Sequence, residues 1–210
     1  MNIQFIRKKG FTLAEVLITL VIIGVIAAMT IPTLMNNTNK QEYVSKLRKA
    51  YATLSQATNK IITDEGMPRG DIGGWVTSRT AVFNLYKKYL NVTKDCLTSS
   101  DCSIPDADVI NMTYAGYKLI LSDGMVINIS TNDTHCGLDH VQGTSNVCQY
   151  IDVDINGHKK PNKLGRDIFS FGLKEDGKLY PLGCEGDFCN SNNIYWHCTC
   201  KVLREDAINY

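Results

Sequence analysis

Residues 11–34 read FTLAEVLITLVIIGVIAAMTIPTL, and this stretch decides the fold. It follows the basic run Arg7-Lys8-Lys9-Gly10, and Glu15 is its only ionisable residue. A helix of this length covers a bilayer core of about 30 Å. A carboxylate inside such a segment costs about 2.5–3.5 kcal/mol on insertion scales, so it is expected to have a partner and a function. No basic residue lies within the stretch, so the partner is expected from elsewhere, which points to assembly. An ordinary secretory signal peptide fits poorly: its apolar region is shorter and its small-residue cleavage site lies on the far side, where Ala27-Ala28-Met29 and Ala28-Met29-Thr30 are weak matches. A plain uncut anchor leaves Glu15 unexplained.

The helical pattern continues beyond the apolar span. From Asn36 to Asp64, Tyr43, Leu47, Tyr51, Leu54, Thr58 and Ile61 recur at three- and four-residue spacing and form one stripe. Lys46, Arg48, Lys49, Gln56 and Lys60 fall mostly off it. One long helix is therefore apolar all round in its first half and apolar on one face in its second. The first half needs lipid or other subunits; the second needs a globular domain packed on it. Gly24 and Pro32 weaken the first half, through backbone freedom and a lost hydrogen bond.

Gly66-Met67-Pro68-Arg69-Gly70 and Gly73-Gly74 end the helix. Thr80–Leu90 reads as a short helix with Val82, Phe83, Leu85, Tyr86, Tyr89 and Leu90 apolar. Strand-like runs at 117–121 and 125–129 flank the turn Ser122-Asp123-Gly124, and runs at 168–173 and 178–180 flank Lys174-Glu175-Asp176-Gly177. Residues 149–153 form another strand-like run. The expected fold class is α+β: a long N-terminal helix laid on an antiparallel sheet of about four strands, with a disulfide-stapled C-terminal region. Tyr195-Trp196 and Ile208-Asn209-Tyr210 are expected to pack in that region.

The length, 210 residues, allows one membrane-spanning helix and one compact domain. The basic leader orients the chain with Arg7, Lys8 and Lys9 in the cytoplasm and everything after Leu34 across the membrane. All eight cysteines, Cys96, Cys102, Cys136, Cys148, Cys184, Cys189, Cys198 and Cys200, lie in the exported part and read as disulfides. Spacing does not fix their connectivity. The sequence-local pairs Cys96–Cys102 and Cys136–Cys148 are preferred, and Cys198 and Cys200 are expected to bond to distant cysteines such as Cys184 and Cys189 rather than to each other. A net charge of +1 with no basic stripe argues against nucleic acid as a partner for the bulk of the chain. Lys40, Lys46, Arg48, Lys49 and Lys60 share one helix with Glu42 interspersed, and read as a solvated face.

Gly10-Phe11-Thr12-Leu13-Ala14-Glu15 behind a basic leader resembles the processing site of type IV pilins and of the pseudopilins of type II secretion systems. The resemblance covers about the first 35 residues and includes Pro32. It implies cutting by a prepilin peptidase between Gly10 and Phe11, methylation of the Phe11 amine, and a mature chain with Glu15 at its fifth position. Removing the leader deletes three of the basic residues and none of the acidic ones, which takes the net charge from +1 to −2. A neighbouring subunit's Phe11 amine could then neutralise Glu15 where no water can. The implied organisation is a leader peptide at 1–10, a transmembrane and filament-core helix at 11–35, an amphipathic helix half at 36–64 and an exported headgroup at 65–210. The implied partners are the prepilin peptidase, identical or related pilin subunits, an inner-membrane assembly platform and membrane lipid. In this family the stretch around Gly24 and Pro32 can lose helical structure in the filament. The resemblance implies a pilin-like fold and no catalytic residues, and the sequence holds no recognisable nucleophile motif or phosphate loop.

Asp152-Val153-Asp154-Ile155-Asn156-Gly157 reproduces the first half of a calcium loop, with alternating oxygen ligands and a Gly at the sharp turn. The second half fails: Lys160 and Lys163 occupy the ninth and twelfth positions. Asp167 is the substitute donor, with Asn162 or backbone carbonyls. The candidate ligands are thus Asp152, Asp154, Asn156 and Asp167. Structural calcium is the one cofactor suggested, and major pseudopilins carry one in a C-terminal loop; the plain alternative is a polar loop between strands. His135, Cys136, His140 and Cys148, or His197, Cys198 and Cys200, lack the spacing of zinc modules, and an exported location favours oxidised cysteines.

Overall fold

The computed structural model describes residues 10–67, 74, 76–97, 99–107, 117–138, 145–184, 189 and 198–209. The basic leader residues, Pro68-Arg69-Gly70, Gly73, His140, Tyr195-Trp196, His197 and Tyr210 lie outside them. The chain divides into two units, Met1–Asn39 and Lys40–Tyr210.

The first unit contributes the start of helix α1 (Leu13–Asp64), which contains both Gly24 and Pro32. Residues 13–32 are long and apolar enough to cross a membrane, and none of that surface is buried. Phe11, Leu17, Val21, Ile22, Val25, Met29 and Leu34 are among the large apolar side chains left exposed.

In the second unit the remainder of α1 lies on a sheet. Leu47, Leu54, Thr58 and Ile61 are buried, as their spacing predicts, while Tyr43 and Tyr51 are half-buried. Val44, Ala50, Ala57 and Ile62 widen the stripe. Three of the basic residues off the stripe are held in solvated ion pairs: Lys46 with Glu42 at 2.8 Å, Arg48 with Asp206 at 3.0 Å and Lys49 with Asp123 at 2.8 Å. Gly66, at φ 65°, stops the helix in the left-handed region, and the Met67 amide donates back to the Ile62 carbonyl at 3.0 Å. Helix α2 (Arg79–Tyr89) begins where the Ser78 hydroxyl accepts from the Ala81 amide at 3.1 Å. It buries Val82, Phe83 and Tyr86. The Tyr86 hydroxyl meets Thr58 Oγ1 at 2.6 Å, and burial pushes its pKa up to about 12.

The sheet has six strands, β1 (Val92–Cys96), β2 (Lys118–Leu121), β3 (Val126–Asn132), β4 (Val147–Asp154), β5 (Ile168–Lys174) and β6 (Leu179–Pro181), each antiparallel to its neighbour and ordered as in sequence. The count exceeds the four or so expected because β1 carries no apolar alternation. Its Lys94 and Asp95 are exposed on an edge, where pairing rather than burial defines the strand. The two hairpins turn at Gly124 (φ 87°) and Gly177 (φ 79°), at the positions the turn signals mark.

One sheet face, with Leu119, Ile127, Ile129, Ile151, Val153, Phe169 and Phe171, joins the α1 stripe in the main core. Tyr51 stacks on Phe171 with ring centroids 5.8 Å apart. The other face is covered as well, which is why β4 is buried along its whole length. There Ile104 and Leu164 pack on Val126 and Ile168, and Leu138 and Leu182 pack on Val147 and Tyr150. A row in cross-strand register, Lys118, Asn128, Asp152 and Ser170, carries buried polar side chains.

Disulfides join Cys96 to Cys102, Cys136 to Cys148, Cys184 to Cys200 and Cys189 to Cys198, and no cysteine is free for zinc. Where the sequence suggested a stapled loop, Cys198–Glu205 forms a short helix, α3. Its Val202 enters the main core, and Thr199 Oγ1 accepts from the Ser170 amide at 2.9 Å. Eight residues are too few for a clear helical period, and the two cysteines within it masked the signal.

Candidate functional site

At the N-terminus, Gly10 is exposed, no atom lies within 4 Å of where its side chain would begin, and Phe11 is 88% exposed. The start of α1 is built by Thr12 and Glu15. The Thr12 amide and the Thr12 hydroxyl each donate to Glu15 Oε2 at 2.8 Å, and the Glu15 amide donates to Thr12 Oγ1 at 3.3 Å. This reciprocal arrangement is a capping box, in which two residues three apart satisfy each other's orphan amides. Besides the charge partner that is expected from elsewhere, Glu15 thus has local hydrogen-bond partners in Thr12. The segment supplies no charge partner, but Thr12 supplies two hydrogen bonds that fix the carboxylate at the helix start. The pattern Thr-x-x-Glu ahead of an apolar run is the signal that identifies this role.

The loop from β4 to β5 brings together a second group. Asp154, at the end of β4, is fully buried. Its Oδ1 accepts from the Asn156 amide at 3.1 Å, while its Oδ2 is buried with no hydrogen-bond partner among the described residues. Asp167 is also fully buried and is held by three donors: the Asn162 amide at 2.8 Å and Asn156 Nδ2 at 3.1 Å on Oδ2, and the Lys163 amide at 2.7 Å on Oδ1. Burial, and then the Asp167 carboxylate, pushes Asp154 up to about 8; burial also raises Asp167. The loop is fixed in space by Gly157, whose φ is 69° and where a Cβ would fall 2.5 Å from the Gly124 carbonyl oxygen of the β2–β3 turn. Only glycine tolerates both the conformation and the approach.

Asp152 stands apart from this group. Its Oδ1 accepts from Ser170 Oγ at 2.7 Å and its Oδ2 from Asn128 Nδ2 at 3.1 Å, so its carboxylate belongs to the polar row across the sheet. Burial lifts it to about 6 against those bonds. Lys160 and Lys163 enter the loop through backbone groups: the Lys160 carbonyl accepts from Asn156 Nδ2 at 3.5 Å, and Lys163 donates its amide. Sequence reasoning did not mark Pro105, whose carbonyl accepts from Asn162 Nδ2 at 2.9 Å across 57 positions. No local pattern encodes such a contact.

A helix with an apolar, unburied surface and a capped Glu at its start, in a chain whose antiparallel sheet packs on a helix and carries four disulfides, is an α+β, pilin-like protein. Residues 6–31 match the prokaryotic N-terminal methylation motif. The chain is 25% identical over 114 residues to the type IV major pilin protein PilE of Neisseria gonorrhoeae, a stretch covering 54% of this chain and 66% of that protein. It is 46% identical over 44 residues to the type II secretion system core protein G of Klebsiella pneumoniae, covering 20% of this chain and 31% of that one. It is 38% identical over 50 residues to core protein G of Dickeya chrysanthemi, covering 24% and 33%. The chain thus spans just under two thirds of the pilin's length and about a third of the secretion proteins'. No solved structure matches. Motif and relatives together support a likeness to the type IV pilin and pseudopilin family, with the motif match confined to residues 6–31.

Proposed function

We propose that this chain is a structural subunit of a type IV pilus-like or type II secretion pseudopilus filament, processed after Gly10 and polymerised through its N-terminal helix. The observation that carries this reading is the apolar surface of residues 13–32, none of it buried, with Glu15 fixed near its beginning. Such a surface requires lipid before assembly and other helices after it. Before assembly the chain is a single-pass membrane protein, its N-terminus in the cytoplasm and its headgroup in the periplasm or outside. Its partners are the prepilin peptidase, like subunits and an inner-membrane assembly platform.

Both bonds from Thr12 fall on Glu15 Oε2. Oε1 is then the oxygen that an incoming amine from a neighbouring Phe11 would meet. Cutting between Gly10 and Phe11 leaves the Thr12 amide in place, so the capping box outlives processing and presents the carboxylate already oriented. The headgroup, stabilised by its own core and disulfides, would coat the filament and needs no catalytic residue.

Intact mass and N-terminal sequencing of the protein from a native membrane fraction test the processing step. The expected chain starts at Phe11 and carries about 14 Da for a methyl group. A chain beginning at Met1 would overturn it in favour of a membrane-anchored ectodomain that does not polymerise. Replacing Gly10 by a bulky residue is expected to leave the leader attached.

A further inference from the structure

We propose that the side chains of Lys118 and Asn128 condense in the folded headgroup to an amide bond between β2 and β3, with Asp152 carrying the proton.

Three residue types meet in one row of the sheet. Lys118 and Asn128 are direct cross-strand partners, and so are Asn128 and Asp152. Directly opposed residues share a face of the sheet, with Cβ atoms about 4.5–5.5 Å apart. The lysine stem is long enough to carry Nζ across that gap to the Asn128 Cγ. All three residues are buried, none with more than 2% of its surface exposed. Asn128 Nδ2, the nitrogen that leaves in such a condensation, donates to Asp152 Oδ2 at 3.1 Å. Asp152 is itself fixed, because its Oδ1 accepts from Ser170 Oγ at 2.7 Å.

The surroundings suit the chemistry. Lysine is almost never fully buried in a folded protein, so one in the middle of a sheet face calls for a reason. Residues two apart on a strand share a face. The row is therefore bordered by Val126 and Ile168 on one side and by Tyr150 on the other, all buried. Burial disfavours the ammonium form and pushes Lys118 down to about 8. At pH 7 roughly a tenth of it is then neutral amine, the form that attacks a carbonyl carbon. An amide is a poor electrophile in water, but a nucleophile held beside it gains a high effective concentration, and the closed face keeps competing water out.

The step balances without any other reagent. Lys118 Nζ adds to Asn128 Cγ and forms the new C–N bond. Asp152 takes a proton from Nζ and returns one to Nδ2. The Cγ–Nδ2 bond breaks, and ammonia leaves. Nothing is oxidised or reduced, and Asp152 ends as it began. The product ties together two strands that contain no cysteine, and it resists the reductants that open the four disulfides.

The test is the intact mass of the full chain, purified in detergent, reduced and denatured, and compared with the mass expected from its own N-terminus. Wild-type protein should be lighter by about 17 Da, the mass of ammonia. Tryptic digestion should leave Lys118 uncut and yield one branched peptide in which it is joined to Asn128. Lys118→Arg keeps a positive charge but supplies no comparable nucleophile, and it should show its full expected mass. Asp152→Asn removes the proton carrier and should do the same. A wild-type chain at full mass without the branched peptide would overturn the proposal. So would a deficit undiminished in either variant; a succinimide at Asn156-Gly157, which also loses ammonia, would give that result in Lys118→Arg. None of these readings depends on where the chain is cut or on whether it forms filaments.

Discussion

Residues 13–35 and residues 44–62 of α1 are both rich in aliphatic side chains, but their surroundings are opposite. In the first stretch Leu17, Ile18, Val21, Ile22, Val25 and Ile26 leave more than half of their surface open, and no side of the helix is polar. In the second, Leu47 and Leu54 are sealed against the sheet, and Lys46, Arg48 and Lys49 hold the opposite side in water through ion pairs. Helix periodicity is shared; what differs is whether the apolar residues form a ring or a stripe. A stripe can be satisfied by one sheet in the same chain. A ring needs neighbours on every side.

Four substitutions sharpen or break this contrast. The largest effect is expected from Glu15→Ala, which removes the one charge in the ring. If that charge drives subunit pairing in lipid at about 2.5–3.5 kcal/mol, recovery in sheared filaments should fall on the order of a hundredfold, with cutting at Gly10 unchanged. Normal filament yield would refute the pairing argument. Next comes the stripe. Leu54→Ala should cost the headgroup about 2–5 kcal/mol by denaturant unfolding, as a large buried side chain leaves a cavity. Ile22→Ala, in the ring, should change the same transition by less than about 0.5 kcal/mol. Equal losses at the two positions would mean that the halves of α1 are not distinct in the way described. The smallest effect is expected from Tyr86→Phe, which removes a buried hydroxyl while Thr58 keeps its bond to the Leu54 carbonyl at 2.8 Å. A cost of about 0.5–1.5 kcal/mol is expected, measured by the same unfolding curve.

Much of this contrast is legible in the sequence, because helical stripes and apolar runs are local patterns. Leu47, Leu54, Thr58 and Ile61 declare their face by spacing alone, and Gly124 and Gly177 declare their turns. Strand β1 is not legible, since Thr93, Lys94 and Asp95 look like a loop until β2 pairs with them. The β4–β5 loop is legible in part. Asp154, Asn156 and Asp167 stand out by residue type, and Asn162 follows as an accessory donor. That Asp152, two residues from Asp154 on the same strand, belongs instead with Asn128 and Ser170 depends on cross-strand register, which no linear motif records. The capping box of Thr12 and Glu15 is written plainly in the sequence, but the apolar run after it draws attention to the cost of the carboxylate rather than to its local bonds.

The disulfides have an order as well as a pattern. Cys96–Cys102 and Cys136–Cys148 each join cysteines that are consecutive along the chain, whereas Cys184–Cys200 encloses Cys189–Cys198. In a polypeptide delivered to an oxidising compartment N-terminus first, the first two bonds can close on the first partner to arrive. The last four cannot: Cys184 meets Cys189 before either native partner has appeared. Correct pairing there must wait for Cys198 and Cys200 on α3 to emerge, or be repaired by exchange once they have.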